Sequence, residues 1–295
     1  MNRLKSGLLL ALVCLLAACE KEVTSIQLPG AESQLVVNAF ISPQDTILEV
    51  AVFESKPVIG ERPGSVTDLI RDATVTLSDG QKTIVFPLVN PTQYLAGTAY
   101  RARPEAFPIE AGKTYFLQAS TPDGRLVTAQ CTVPAAPPVP QMRFDSVVTT
   151  LENGVTSRNY TGALHWQDPA GEENFYRVDA DLKRGRLDNR GELFEEWQPV
   201  YWGPDKATAF SDARLDGAQF SSPETSFFVN DYFRSTTFYA HLLHTDRAYF
   251  EYHRTLRANL DSNPFAEPVL LYSNVAGGLG VFVAFNRTTL EVRVK

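Results

Sequence analysis

The stretch Ala73-Thr74-Val75-Thr76-Leu77-Ser78-Asp79-Gly80-Gln81-Lys82-Thr83-Ile84-Val85-Phe86 decides the fold. Polar and apolar residues alternate from Ala73 to Leu77, the period of a strand with one face in a core. Ser78-Asp79-Gly80 supplies the turn into Lys82–Phe86, since glycine reaches the left-handed region at no steric cost and aspartate binds nearby amides. Outward from this hairpin the same grammar repeats. Leu35–Ile41 is followed by Ile47–Phe53, in which Ile47, Glu49, Ala51 and Phe53 share one face and Leu48, Val50 and Val52 the other. Ala111-Gly112 opens Lys113–Ala119, and Pro122-Asp123-Gly124 turns the chain into Leu126–Val133. Short strands at this spacing predict a mainly β fold, with an immunoglobulin-like β-sandwich over residues 35–134. Asp45, Asp68, Asp72 and Asp79 fall in turns or at strand ends, where aspartate does turn chemistry.

Pro134-Ala135-Ala136-Pro137-Pro138-Val139-Pro140 holds four prolines in seven residues, and residues 135–140 read as a semi-rigid linker between two domains. Residues 141–295 read as a second β-rich domain. Its candidate strands are Tyr160–Trp166, Phe175–Leu182, Phe227–Val229 and Thr237–Leu243. The period then changes: Tyr249, Tyr252, Leu256 and Leu260 recur at helical spacing, with Thr245 or Asp246 as N-cap, so one amphipathic helix is predicted near 246–260. Asn263-Pro264 stops it, and Gly277-Gly278-Leu279-Gly280 turns into a last strand, Val281–Phe285.

The N-terminus carries an address. Arg3 and Lys5 precede the apolar run Gly7–Ala18, which ends in Leu16-Ala17-Ala18-Cys19. A basic head, a short apolar middle and small residues at a cut form an export signal, and a cysteine at the cut makes it a lipoprotein signal over residues 1–18. Cys19 is then the attachment point for a covalent lipid such as palmitate, and residues 19–34 form the tether. The run falls short of the ~20 residues a spanning helix needs, and no later segment is apolar enough to span. Membrane attachment through the lipid on Cys19 is expected. Glu20 and Glu22 fit display on the outer face, and fit a plain solvated tether equally well. Loss of the signal, which carries Arg3 and Lys5 and no acid, takes the formal charge from −7 to −9. So acidic a chain repels phosphate backbones, which argues against nucleic acid as a partner. Cys131 is left as the free thiol, on a strand, in the position of a small buried apolar residue.

Candidate chemistry is sparse. His241 and His244 have helical metal spacing but lie in a strand pattern that turns them to opposite faces, so zinc is not expected. The pairs Glu172-Glu173 and Glu195-Glu196 would likewise diverge, and no catalytic residues are assigned. Asp168, Glu172 and Glu173 form a loop rich in carboxylates, the weak calcium candidate of the chain. Trp197, Tyr201 and Trp202 are the candidate ligand-binding residues, because aromatic faces stack on sugar rings or fill partner pockets. Their alternative is core packing. Gly278-Leu279-Gly280 lacks the third glycine and the following helix of a nucleotide loop.

Several of these segments together resemble the bacterial lipoprotein family called domain of unknown function 4249. They are the lipobox at Cys19; Ile109-Glu110-Ala111-Gly112-Lys113-Thr114-Tyr115 with Pro122-Asp123-Gly124 and the close at Val133-Pro134; and Asp168-Pro169 leading to Phe175-Tyr176-Arg177. The tail adds Tyr249–Tyr252, Asn263-Pro264-Phe265, and Ser273-Asn274-Val275 before Gly277-Gly278-Leu279-Gly280-Val281-Phe282. The resemblance implies an outer-membrane lipoprotein associated with a TonB-dependent transporter, and carries over no catalytic residue and no cofactor beyond the lipid on Cys19. The expected role is a non-enzymatic accessory or ligand-binding subunit, with a stand-alone glycan-binding protein or hydrolase, or a structural adhesion protein, as alternatives.

Overall fold

The computed structural model describes residues 33–55, 69–89, 99–150, 154–202, 208–260 and 269–295. The signal segment, Cys19, the tether through residue 32, Asp68, and Asn263-Pro264 lie outside the described residues. The fold is mainly β, with one helix among the described residues. In the first half, β1 (Leu35–Ile41), β2 (Leu48–Glu54), β6 (Ala99–Ala102) and β5 (Leu88–Val89) lie side by side in that order. They face a second sheet of β4 (Thr83–Phe86), β3 (Thr74–Ser78), β7 (Thr114–Ser120) and β8 (Leu126–Thr132). This is the strand order of an immunoglobulin sandwich, with β1, β2, β6 and β5 standing for A, B, E and D. Leu48, Val50 and Val52 enter the core between the sheets with Val75, Leu77 and Leu117, as their alternation requires. The Lys113-Thr114-Tyr115 motif has a structural meaning here. The buried Tyr115 hydroxyl donates to the Pro108 carbonyl (3.1 Å) and accepts from the Glu110 amide (2.8 Å), the tyrosine corner that pins the start of this strand to the loop before it.

The second half is also a sandwich. One layer holds β12 (Leu193–Val200), β11 (Phe175–Leu187), β16 (Phe233–Thr245) and β17 (Leu279–Arg293), with β13 (Ala209–Ser211) on β11. The other holds β9 (Gln141–Thr150), β10 (Thr156–Gln167), β15 (Thr225–Asn230) and β14 (Gln219–Ser221). Leu164, Trp166, Val178, Leu182, Phe227, Phe238 and Leu242 fill the space between.

The two halves differ from the expectation of linked domains. Each keeps its own core, but Gln34–Lys295 is one compact unit, because β17 belongs to both. Its first part pairs in parallel with β1, Val36 opposite Leu279 through Ile41 opposite Ala284, and its second part pairs antiparallel with β16. One nine-stranded sheet thus forms a layer of both sandwiches. The Pro134–Pro140 segment is not a spacer. Its carbonyls accept hydrogen bonds from Asn286 Nδ2 (Pro134, 3.1 Å), His244 Nδ1 (Ala135, 3.0 Å) and Thr288 Oγ1 (Pro137, 3.1 Å). The prolines have no N–H to donate, and these three bonds hold the strap through its carbonyls.

The glycines before β17 make this junction possible. A Cβ on Gly280, whose φ is +107°, would lie 2.1 Å from the Val37 carbonyl oxygen, and one on Gly278 would lie 2.4 Å from that of Leu35. Asn274 completes the crossing: its Oδ1 accepts the Phe282 amide (2.9 Å) and its Nδ2 donates to the Phe282 carbonyl (2.7 Å), as a neighbouring strand would. Gly280→Ala is expected to destabilise the protein by more than about 2 kcal/mol, since both the backbone angle and the space are wrong for a side chain. A urea titration measures it.

Helix α1 (Arg247–Leu260) packs on the outer face of this sheet, where Tyr249 joins Leu243, Val281 and Val283. Asp246 is its N-cap, as one of the two sequence candidates. Oδ1 accepts the Tyr249 amide (2.7 Å) and Oδ2 the Ala284 amide of β17 (2.9 Å). Burial pushes this carboxyl from the ordinary 3.8 up to about 6, against the two amide bonds. Between those values the folded state holds a proton that the unfolded chain has released, so this group's contribution to stability falls as pH rises through the window. Asp246→Asn keeps a capping oxygen and removes the titration. Urea unfolding from pH 4 to 6 should therefore show a smaller loss of stability in the variant than in the wild type.

Candidate functional site

Strand β12 places the aromatic candidates. It is the edge strand of the nine-stranded sheet, and Trp197 stands opposite Lys183 of β11 in the ladder. Trp197 is 60% exposed, with its ring 5.0 Å from that of Tyr239 and Lys183 Nζ 5.9 Å from its centroid. Lys183 is held in turn by Glu195 at 2.8 Å. The result is a solvent-facing aromatic pair with a cation and a carboxylate at its rim. Tyr201, just beyond β12, is 81% exposed. Trp202 departs from the expectation: it is 4% exposed and belongs to the core with Leu164 and Trp166, so it offers no face to a ligand. The strand ends at Val200, and the chain turns inward there.

More apolar surface gathers at the same end of this sandwich. Leu187 and Leu193 are opposite one another on β11 and β12, while Val147 of β9 and Phe228 of β15 flank Asn159 of β10. These four side chains are exposed, as are Phe194 and Tyr232. Arg184 braces them from below. Buried, it donates through Nη1 to Gln198 of β12 and through Nη2 to the Phe228 carbonyl (2.7 Å), and its guanidinium lies 4.6 Å over Phe233. This end is where β17 finishes, with Arg293 opposite Thr237. The chain enters at Leu35, beside the other end of β17.

The carboxylate candidates rearrange. Glu172 and Glu173 are exposed, and Glu173 pairs with Arg247. Asp168 instead meets Asp212 and Asp216, with one oxygen of each within 4.8 Å of the others. Such an all-oxygen set has the chemistry of a hard-cation site, yet each acid already accepts a backbone amide: Gly217 on Asp168 (2.9 Å), Asn174 on Asp212 (2.9 Å) and Gly171 on Asp216 (2.8 Å). Asp168 also accepts the Tyr176 hydroxyl (2.7 Å), and burial with the neighbouring carboxylate pushes that phenol well up. The cluster clasps two loops together. Asp212 and Asp216 come from a loop remote in sequence, and no local spacing marks them as partners of Asp168.

The histidines are engaged separately, as the strand pattern implied. His244 holds the proline strap. His241 lies between Asp181 (Nε2, 3.2 Å) and Thr289 (Nδ1, 2.9 Å). Thr289 is exposed. His253 Nδ1 is bound to Arg177 Nη1 (2.7 Å). Cys131 is buried, and burial raises its thiol well above the ordinary range, so it is held as an unreactive thiol.

Comparison with known proteins gives one informative match. A family model described as Domain of unknown function (DUF4249) matches residues 21–291. No curated protein matches the sequence. Among solved structures, a cytokine receptor complex is similar at 10% identity and a TM-score of 0.20, over 87% of this chain and 94% of that one. The C-terminal globular domain of an oligosaccharyltransferase from Pyrococcus abyssi is similar at 10% identity and a TM-score of 0.15, over 89% of this chain and 48% of that one. At these scores neither likeness carries an argument.

The two tryptophans should separate in a stability test. Trp202→Ala is expected to cost about 3–5 kcal/mol, the loss of a large core side chain. Trp197→Ala should cost about 1 kcal/mol or less, the worth of an exposed aromatic and cation contact. Denaturant unfolding of both variants checks this.

Proposed function

The chain belongs to the DUF4249 family, and we propose that it is a lipid-anchored outer-membrane protein with a non-enzymatic role, an accessory or ligand-binding subunit that works beside a TonB-dependent transporter. The observation that carries the reading is the position of its exposed aromatic surface. The described chain begins beside one end of β17, and the surface of Trp197, Phe194, Phe228 and Tyr232 gathers toward the other. Fifteen residues of strand at about 3.3 Å each separate the two ends by about 50 Å. The exposed aromatic side chains thus sit at the end of β17 remote from Leu35, where the described chain enters the first sandwich.

The chemistry of that end supports contact rather than catalysis. Aromatic side chains are enriched at binding anchors because they bury much area at low entropic cost. Trp197, 60% exposed on an edge strand, has the character of such an anchor. Lys183 and Glu195, on the same face as Trp197, supply charge to fix orientation. A cation and a carboxylate beside an aromatic pair also suit the stacking of a sugar ring, which is the second reading: a glycan-binding protein acting alone.

The test is isolation of the full-length lipoprotein from outer membrane in mild detergent, followed by mass spectrometry of what co-purifies. A stoichiometric TonB-dependent barrel is expected with the wild type. At least about tenfold less of it is expected with Phe194→Ser/Trp197→Ala, given the weight such anchors carry. A clean monomer from wild-type cells overturns the accessory role and leaves the glycan reading. In the same cells, Cys19→Ser should abolish incorporation of labelled palmitate and release the protein from the membrane fraction.

A further inference from the structure

Between α1 and strands β11 and β13 lies a cleft of about 430 Å³ whose lining includes Arg177, Arg254, Arg257, His253, Phe250 and Leu256. Three arginines line it, in a chain whose formal net charge is −7. We propose that this cleft binds a small organic anion, a carboxylate carried on an apolar body. The proposal does not rest on the transporter reading and concerns a different surface from Trp197.

The cleft is in the size range of small-ligand sites, which combine apolar walls with a few placed polar groups. Its polar groups are pre-set. Arg177 is locked by three neighbours: Nε donates to Asp179 (3.1 Å), Nη1 donates to His253 Nδ1 (2.7 Å), and its guanidinium carbon lies 6.0 Å from the Tyr249 ring centre. Because His253 Nδ1 accepts that bond, its proton sits on Nε2 and the ring is neutral. Burial and the nearby guanidinium push His253 down to about 3, in keeping with this tautomer. Arg254 is oriented by Glu251, which accepts from both Nε and Nη2 at 2.8 Å.

The apolar wall is equally fixed. Phe250 lies against Phe175, ring centres 5.0 Å apart, and the Arg247 guanidinium covers the other end of that stack at 5.4 Å from Phe175. Leu256 adds an aliphatic surface. Arginine forks match carboxylates in bidentate geometry, and a bare inorganic ion would leave the phenylalanine and leucine wall uncovered. The ligand class therefore has both parts, an oxyanion and an apolar body.

The experiment is isothermal titration of the lipidated chain in a non-ionic detergent, with micelles as blank, against benzoate, benzamide and inorganic phosphate. Benzoate is expected to bind, with benzamide at least about tenfold weaker because it has lost the charged hydrogen bonds. Arg254→Gln/Arg257→Gln, at an exposed and a half-buried position of the helix, should lower benzoate affinity by a similar factor, with the unfolding midpoint measured alongside as the control for folding. Absence of benzoate binding, equal binding of benzoate and benzamide, tighter binding of phosphate than of benzoate, or unchanged affinity in the double variant each overturns the proposal.

Discussion

The shared strand β17 is the constraint on which the rest depends. It leaves a glycine-rich passage, runs parallel to β1 inside the first sandwich, and continues antiparallel to β16 inside the second. Each half by itself is an ordinary two-layer packing with its own core. Backbone hydrogen bonds along one strand join them, so the angle between the halves is set by sheet twist rather than by a hinge. Everything near the crossing serves it. Gly278 and Gly280 let two backbones approach within contact distance of a carbonyl. Asn274 stands in for a missing strand, Asp246 ties the helix to β17, and the proline strap is bolted to the same strand by Asn286 and Thr288.

That arrangement creates one continuous outer face with two kinds of surface. Odd-numbered residues of β11, β16 and β17 point to it, as the period of two dictates. Where β17 meets β1, the face is apolar and α1 covers it, with Phe40 and Tyr249 in edge contact at 5.8 Å. Toward the far end no helix of the described residues covers it, and the face turns polar and aromatic, with Asp181, His241, Lys183, Tyr239 and Trp197 in neighbouring rows. The cationic cleft lies at the border, where the helix stops shielding the sheet edge of β13. The functional readings of the protein come from this gradient, since binding groups are exposed only where the scaffold has no need to bury them.

How far the sequence could be read depended on whether a strand had two different faces. Ala73–Leu77 alternates cleanly and Leu35–Ile41 is a short apolar run of strand length, and both are legible nearly to the residue. Strand β9 was not anticipated, because Gln141–Thr150 is largely exposed on both faces and so shows no alternation. Strand β12 was missed for the same reason, which left Trp197, Tyr201 and Trp202 as an undivided cluster. The last strand was foreseen only over Val281–Phe285, its fully apolar part. The residues from Arg287 to Arg293 are at most partly buried and lack that apolar signal.

By itself the sequence determined the fold class, the first sandwich, the helix with two candidate caps, and family membership. These rest on local period, turn chemistry and short motifs, all of which are written within a few residues. Tertiary structure decided that Trp197 faces water and Trp202 the core, that Asp168 meets Asp212 and Asp216 rather than Glu172 and Glu173, and that two halves are one sheet. Each of these turns on which strands pair and in what register. That choice is made by hydrogen bonds and packing between segments far apart in the chain, and no local pattern encodes it.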